Sequence, residues 1–560
     1  MKTRHPSRCP LFVVALLLWL SAARAQQLAQ APDHFCQADA LASLLGQSLQ
    51  LQTIDVITPG QWPEDLPPPG DVPEATLQRV CRVKAVASAG EDSQINMEVW
   101  LPAPGTWNGK LVGTGNGGYN PALSYNDMMM ALRRGYAVVG GDTGHSGRNG
   151  GDVSFGRGHP EKIRDWGERS IHVITVAAKQ MIVALMQQAP ARSYYYGCST
   201  GGHQGLAEAQ RYPADYDGII AGDPANNRIR WSAQSLWLYQ ANHLPGDNKA
   251  LVTQQQMPLI RDRVMEKCDA LDGRRDGVIE DPRQCTWSAM DFAALACKDG
   301  NSGECLSGLQ ITALEKIYQG LRNPRTGEQL YPGLQPGSEN GWGGFLGNNP
   351  ARGDFWRYWV DDSDEFDVWK FDFVDEIRKA DLKLGAVVDS INPDLSQFHN
   401  RGGKLIVYHG WADPSVSPID SINYHDKVVT QMGAQAVDEF YRLFVVPGMG
   451  HCGGGPGATV FGNAALEAPQ PDIDNDMLNA LDHWVETQRP LVHLHSVEIR
   501  DDAVVSTRLL CSWPEQGGPG NESCQAGKYT AGAASGCQKN ILVATADKGG
   551  GSSAVCLNSK

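Results

Sequence analysis

Seven short apolar runs, INMEVWLP from Ile95, KLVGTGNGG, GYAVVGGDTGH, RSYYYG, YDGIIAGDP, KLIVYHG and FYRLFVVPG, constrain the fold more than any other feature. Most run into glycine, as buried parallel strands do. Between the third and fourth runs, Ile171, Ile174, Ala178, Met181 and Leu185 recur at three- and four-residue steps, one face of a helix. Strand alternating with helix predicts an α/β sheet with right-handed crossovers. No internal repeat interrupts it. The rhythm fails between about Asn226 and Gln397, a stretch rich in Trp, Gly, Asp and paired cysteines. A crossover needs only a few tens of residues, so this stretch reads as an inserted unit. Its natural place is over the strand ends that carry the chemistry.

A length of 560 residues agrees with a main domain plus an insertion, and 41% hydrophobic with 20% charged residues describes a globular chain. Met1–Ala25 reads as a secretory signal peptide: Lys2, Arg4 and Arg8, the apolar run LFVVALLLWL, then ARA before Gln26. The apolar run is too short to span a bilayer, so no membrane anchor is expected. Removing this segment takes away Lys2, Arg4, Arg8 and Arg24, moving the net charge from −15 to −19. Such an acidic surface repels phosphate backbones, which excludes nucleic acid as the expected partner. Thirteen cysteines less Cys9 leave twelve, an even number in an exported chain, enough for six disulfides whose pairing the sequence alone does not fix. After about residue 500 the chain turns rich in Gly, Ser and Ala, with Cys511, Cys524, Cys537 and Cys556 stapling a loose tail.

The stretch YYYGCSTGGHQG contains G-x-S-x-G between an apolar strand and a helix-forming run. That context suits a strained turn that lifts the Ser199 oxygen clear and aims the Thr200 N–H at a developing oxyanion. The same short pattern also occurs in ordinary glycine-rich turns. Its partners favour the chemical reading. Asp413 follows KLIVYHG and His451 follows FYRLFVVPG, in the order serine, acid, histidine. Ser199 would attack an ester carbonyl, His451 would carry its proton, and Asp413 would hold the imidazole. The loop GTGNGGYN after an early strand offers a second oxyanion donor at Gly118. Assembling these residues brings Cys198, beside the serine, close to Cys452, beside the histidine, so a disulfide there would brace the site. The polar stretch GGDTGHSG (140–147) is assigned to shaping the core.

GCSTGG, YHGWADPSVSP and PGMGHCGGGPG resemble the tannase and feruloyl esterase family, whose bacterial members include hydrolases of the terephthalate–ethylene glycol monoester. The likeness runs from about Cys36 to Cys524. It implies an α/β-hydrolase core (26–225 and 398–524), a lid (226–397) and a tail (525–560). It implies hydrolysis of small aromatic esters such as gallates or hydroxycinnamates, with Ser199, Asp413 and His451 as the triad, Thr200 and Gly118 as oxyanion donors, and no organic cofactor. An aromatic-diacid monoester hydrolase and a catalytically silent binding protein are the alternatives; a peptidase is disfavoured. His203 departs from the arginine of many relatives, and the tail beyond Cys524 is additional.

In CDALDGRRDGVIEDPRQC the aspartates alone read as solvated Asp-Gly turns. The resemblance instead implies Ca²⁺ held by Asp269, Asp272 and Asp276 and the carbonyls of Arg274 and Val278, a ligand set suited to a hard cation. The expected disulfides are Cys36–Cys81, Cys198–Cys452, Cys268–Cys285, Cys297–Cys305, Cys511–Cys524 and Cys537–Cys556. Lid residues Trp342, Phe355, Trp356, Tyr358 and Trp359 are candidates for binding a planar acyl group, with Arg357 for a carboxylate or phenol.

Overall fold

The computed structural model describes residues 35–526 apart from 59–60, 67–78, 148, 299–304, 345, 347–349, 351 and 518–522. The signal-peptide expectation (1–25), the tail from 527 and the Cys537–Cys556 pair lie outside the described residues. The core is a nine-stranded sheet of β1 (Leu49–Ile57), β2 (Val80–Ala87), β3 (Ile95–Pro102), β4 (Lys110–Thr114), β5 (Ala137–Gly141), β6 (Arg192–Cys198), β7 (Gly218–Gly222), β8 (Lys404–Gly410) and β9 (Tyr441–Val446). Their order is β1-β2-β3-β5-β4-β6-β7-β8-β9. From β5 to β9 every pairing is parallel. β1, β2 and β3 pair antiparallel with one another, and β3 with β5. This is an α/β-hydrolase sheet, mixed rather than all-parallel.

All seven apolar runs form strands. β1 and β2 fall in the stretch that carried no strand signal. β2 is buried yet holds Arg82, whose guanidinium makes two 2.8 Å bonds to Glu98 of β3, so a paired charge interrupts the apolar pattern. The chain past residue 500 also departs from expectation: β10 (His493–Arg500) and β11 (Ala503–Cys511) form a hairpin with Leu509, Leu510 and Cys511 buried.

Helices cover both faces. The helix α1 (Tyr125–Arg133) packs its methionines on one face, while α2 (Ser170–Met186) and α3 (Thr200–Arg211) pack on the other. The five residues of the sequence periodicity in α2 are all buried. The run Pro160–Met186 is long and apolar enough to cross a membrane by composition, and half of it is buried against the protein.

Between β7 and β8 lie residues 223–403, including α4 (Arg228–Asn242), α5 (Met257–Cys268), α6 (Gly308–Gln319) and α7 (Phe373–Ala380). One apolar cluster of this region is its own, built on Ile260, Leu314 and Trp342. A second joins Trp231, Trp356 and Trp359 to Tyr119 and Trp166 of the sheet's loops, which seats the insertion on the strand ends.

The topology places a crevice. After β4 the chain moves to β5 on one side; after β6 it moves to β7 on the other. The loops leaving β4 and β6 therefore part at this switch point, where ligands of open α/β sheets bind.

Candidate active site

Ser199 is the entire turn between β6 and α3. Its backbone sits at φ 63° and ψ −117°, a strained conformation for a residue with a side chain. Its N–H donates to the Gly222 carbonyl at 2.9 Å, and its carbonyl accepts from the His203 N–H at 3.0 Å. Glycines permit the turn: a Cβ on Gly197 would lie 2.9 Å from the Gly201 Cα. The serine opens into a cleft of about 740 Å³ lined also by Gly117, Gly118, Trp231, Arg352 and His451.

Asp413 and His451 follow β8 and β9, the next strands along the sheet. His451 Nδ1 lies 2.6 Å from Asp413 Oδ2, and Asp413 is fully buried. The Ser199 hydroxyl makes no hydrogen bond to His451, although both line the cleft; such bonds often tighten only once substrate is in place. The other Asp413 oxygen accepts from the N–H groups of Ser415 and Val416 at 2.7 and 3.0 Å.

Two residues that the sequence did not single out complete this network. His409, fully buried at the end of β8, sets Nε2 3.2 Å from Asp413 Oδ2 and Nδ1 2.8 Å from Ser421 Oγ. Asp223, also fully buried, follows β7 with φ 37°. Ligand atoms of Asp223, Asp413 and His451 all lie within 4.8 Å of one another. The two carboxyls divide one charge. Burial raises the Asp413 pKa, but His451 and the His409 bond outweigh it and hold the group well below 3.8. Burial and then the Asp413 charge push Asp223 well above 3.8. The donor count agrees, since two ring nitrogens and two backbone N–H groups surround Asp413. Asp413 is therefore the anion, and Asp223 keeps a proton.

Thr200 opens α3, so its N–H has no partner within the helix. Gly118 faces the same cleft at φ 55°, where a Cβ would lie 2.6 Å from the Gly150 carbonyl oxygen. Its carbonyl accepts from Trp166 Nε1 at 3.3 Å, and the next peptide is tied by Tyr119 N–H to Gly150 O at 2.8 Å. GGDTGHSG supports this loop: His145 Nε2 lies 3.0 Å from the Tyr119 carbonyl oxygen, and its ring stacks on Phe155 at 3.7 Å.

The disulfide Cys198–Cys452 joins the serine turn to the histidine loop, with Cα atoms 5.9 Å apart. Asp223 Oδ2 lies 3.6 Å from Cys198 Sγ, so the bridge also covers the buried acid. Cys36–Cys81, Cys268–Cys285, Cys297–Cys305 and Cys511–Cys524 are likewise bonded.

The acyl-binding candidates lie elsewhere. None of Trp342, Phe355, Trp356, Arg357, Tyr358 and Trp359 lines the cleft. Trp342, Phe355, Trp356 and Trp359 are buried packing residues; Trp342 Nε1 donates to Ser338 Oγ and Trp359 Nε1 to the Val153 carbonyl, each at 2.8 Å. Arg357 pairs with Asp354 at 2.8 Å and stacks on Tyr358. Phe355–Val360 forms one π-helical turn whose large rings fill the insertion's core, and Trp231 and Arg352 reach the cleft instead. His203 is fully buried, and neither ring nitrogen has a partner among the described residues. Burial holds it well below 6.5, which makes it a neutral packing residue behind the turn.

The aspartate loop lies between Cys268 and Cys285. Asp269 Oδ1 accepts from the Gly277 N–H at 3.0 Å, Asp272 Oδ1 from Arg274 N–H at 2.9 Å, and Asp276 Oδ1 from Val278 N–H at 3.1 Å. Hard oxygens on an exposed loop suit Ca²⁺ chemically. The three side chains cap backbone groups and, among the described residues, do not belong to a set converging within 4.8 Å. Val278 reaches the histidine loop: a Cβ on Gly457 would lie 2.9 Å from its Cγ2.

The sequence profile described as tannase and feruloyl esterase matches residues 79–521. The chain is 35% identical over 517 residues to an uncharacterized esterase of Xanthomonas campestris pv. campestris, covering 85% of this chain and 88% of that one. It is 33% identical over 467 residues to a probable feruloyl esterase B-1 of Aspergillus flavus, covering 81% and 86%. The crystal structure of feruloyl esterase B from Aspergillus oryzae superposes with a TM-score of 0.79 at 29% identity, covering 88% of this chain and all of that one.

Proposed function

The chain belongs to the tannase and feruloyl esterase family and is a carboxylic ester hydrolase, and on that premise we propose that it cleaves small phenolic esters, gallate or hydroxycinnamate esters among them, through a Ser199–His451–Asp413 acyl-enzyme. The observation that carries this reading is the strained Ser199 turn opening into the same cleft as an imidazole bonded at 2.6 Å to a buried carboxylate. Ser199 Oγ attacks the ester carbonyl while His451 Nε2 takes its proton. The N–H groups of Thr200 and Gly118 receive the oxyanion. Collapse expels the alcohol, which leaves with the proton from His451. Water then repeats the cycle on the acyl-enzyme, releasing the acid and restoring the serine. Asp413, ionised throughout, orients the ring and stabilises the imidazolium.

Five disulfides among the described residues suit an oxidising compartment, which supports an exported enzyme. Ca²⁺ on Asp269, Asp272 and Asp276 and the carbonyls of Arg274 and Val278 would stiffen the loop that packs on the histidine segment. The test is a panel of methyl gallate, methyl ferulate, chlorogenate and terephthalate esters with Ser199→Ala as control. Turnover of at least one phenolic ester, abolished in the variant, is expected. Turnover by the variant at the parent rate, or none by the parent on any ester, refutes the proposal.

A further inference from the structure

A buried cation behind the serine turn lacks a counter-ion. Arg228 opens α4 and is fully buried; Nη2 donates to Thr200 Oγ1 at 2.9 Å, while Nε and Nη1 have no hydrogen-bond partner among the described residues. No carboxylate pairs with it within 4.0 Å among those residues. Asp389 accepts instead from the Ile229 N–H at 3.0 Å and lies 3.9 Å from Arg230. Three rings pack on the guanidinium, with centres at 4.7 Å for Trp231, 4.8 Å for Trp166 and 5.5 Å for Tyr119. Stacking offsets part of the desolvation, yet a full charge without a partner remains costly.

That charge is felt along α3. Burial and then Arg228 hold the His203 imidazole well below 6.5. Thr200, the first residue of α3, is fully buried, and its N–H lies outside the helix ladder. The Arg228 bond therefore fixes the residue that carries an oxyanion donor and sets a positive charge directly behind it. A charge so placed acts selectively. A neutral ester gains little from it on binding. The tetrahedral intermediate carries one negative charge on the former carbonyl oxygen, and ring-lined surroundings leave the attraction poorly screened.

We propose that Arg228 is a positioning residue for the oxyanion hole: tied to Thr200, its unneutralised charge stabilises the negative oxygen of the transition state without improving the affinity for substrate. This role rests on the acyl-enzyme reading of Ser199.

Arg228→Met removes the charge and nearly keeps the length. Its kcat for methyl ferulate should fall about 10- to 100-fold with KM within about twofold, the signature of an interaction made only in the transition state. Tm should stay within about 2 °C of the parent or rise, because an apolar chain replaces an unpaired ion. Arg228→Lys should recover part of kcat. Phenylboronic acid reads the charge without turnover: Ser199 Oγ adds to boron, His451 takes the proton, and boron becomes a tetrahedral anion. Arg228→Met should weaken that Kd by a factor similar to the loss in kcat. Parent-like kcat, an unchanged boronate Kd, or a Tm fall beyond about 2 °C overturns the proposal. Boronate binding weakened in Arg228→Met, with no ester turned over by the parent, upholds Arg228 and sinks the phenolic-ester reading instead.

Discussion

Replacing both Cys198 and Cys452 by alanine should separate stability from catalysis. The bridge closes 254 residues, for which chain entropy gives about 5.5 kcal/mol at 25 °C. The shorter bridges Cys268–Cys285 and Cys297–Cys305 lie inside that loop, span 17 and 8 residues, and barely change its logarithm. At ~2.1 cal/mol/K per residue, 560 residues carry an unfolding entropy of about 1.2 kcal/mol/K. The expected fall in Tm is then about 4 to 5 °C, read by calorimetry against the parent at one scan rate. The catalytic effect has another source. Cys452, at φ 66°, adjoins His451, and Cys198 adjoins Ser199, at φ 63°, so releasing the bridge frees the two reacting groups to separate. A misplacement near 1 Å costs about 100-fold, so kcat for methyl ferulate should drop ~10- to 100-fold while KM changes little. Parent-like kcat in a double variant with lowered Tm refutes the positioning role. An unchanged Tm refutes the entropy argument.

Asp223→Asn mimics the protonated carboxyl and should keep kcat within several-fold of the parent, whereas Asp413→Asn should lose about 10⁴-fold; equal losses would reverse the assignment of charge. The raised pKa of Asp223 contributes stability that is full below 3.8 and lost as pH rises through the folded value. Asp223→Asn should therefore lose less Tm than the parent as pH rises above 3.8. Gly118→Ala puts a methyl 2.6 Å from the Gly150 carbonyl oxygen and should cost ~10²- to 10³-fold in kcat, the loss of one oxyanion donor; parent-like kcat would remove Gly118 from that role. Chelation should lower Tm by about 2 °C, the equivalent of ~2.7 kcal/mol from a ligand at 100 times its Kd; no shift, with the starting metal content verified, would remove the calcium proposal.

The sequence exposes features whose physics is local. β4 to β9 are buried on both faces, so their residues are mostly apolar, and glycine follows where backbones turn sharply. The serine turn is equally local, because Gly197 and Gly201 press together within five residues. β1 escapes detection for the opposite reason: at the sheet edge its LQLQTIDVI leaves Gln50, Gln52, Thr53 and Asp55 in water. The hairpin of β10 and β11 hides similarly, since Arg508 is buried by pairing with Glu280, 228 residues away.

Distance in sequence also separates the readable part of the site from the rest. Ser199, Asp413 and His451 each sit just past a strand, and strand order alone brings those ends together. His409 and Asp223 occupy similar strand ends, but their roles depend on the Asp413 carboxylate, which follows His409's own strand, the strand next to Asp223's. Trp231 and Arg352 are harder still. Their side chains meet only after the insertion folds over the sheet, and the aromatic run FWRYWV draws attention away because large rings are chemically suited to both a core and a pocket. Packing decides between those uses: Phe355, Trp356 and Trp359 fill the volume under the insertion, and only what borders that volume faces substrate.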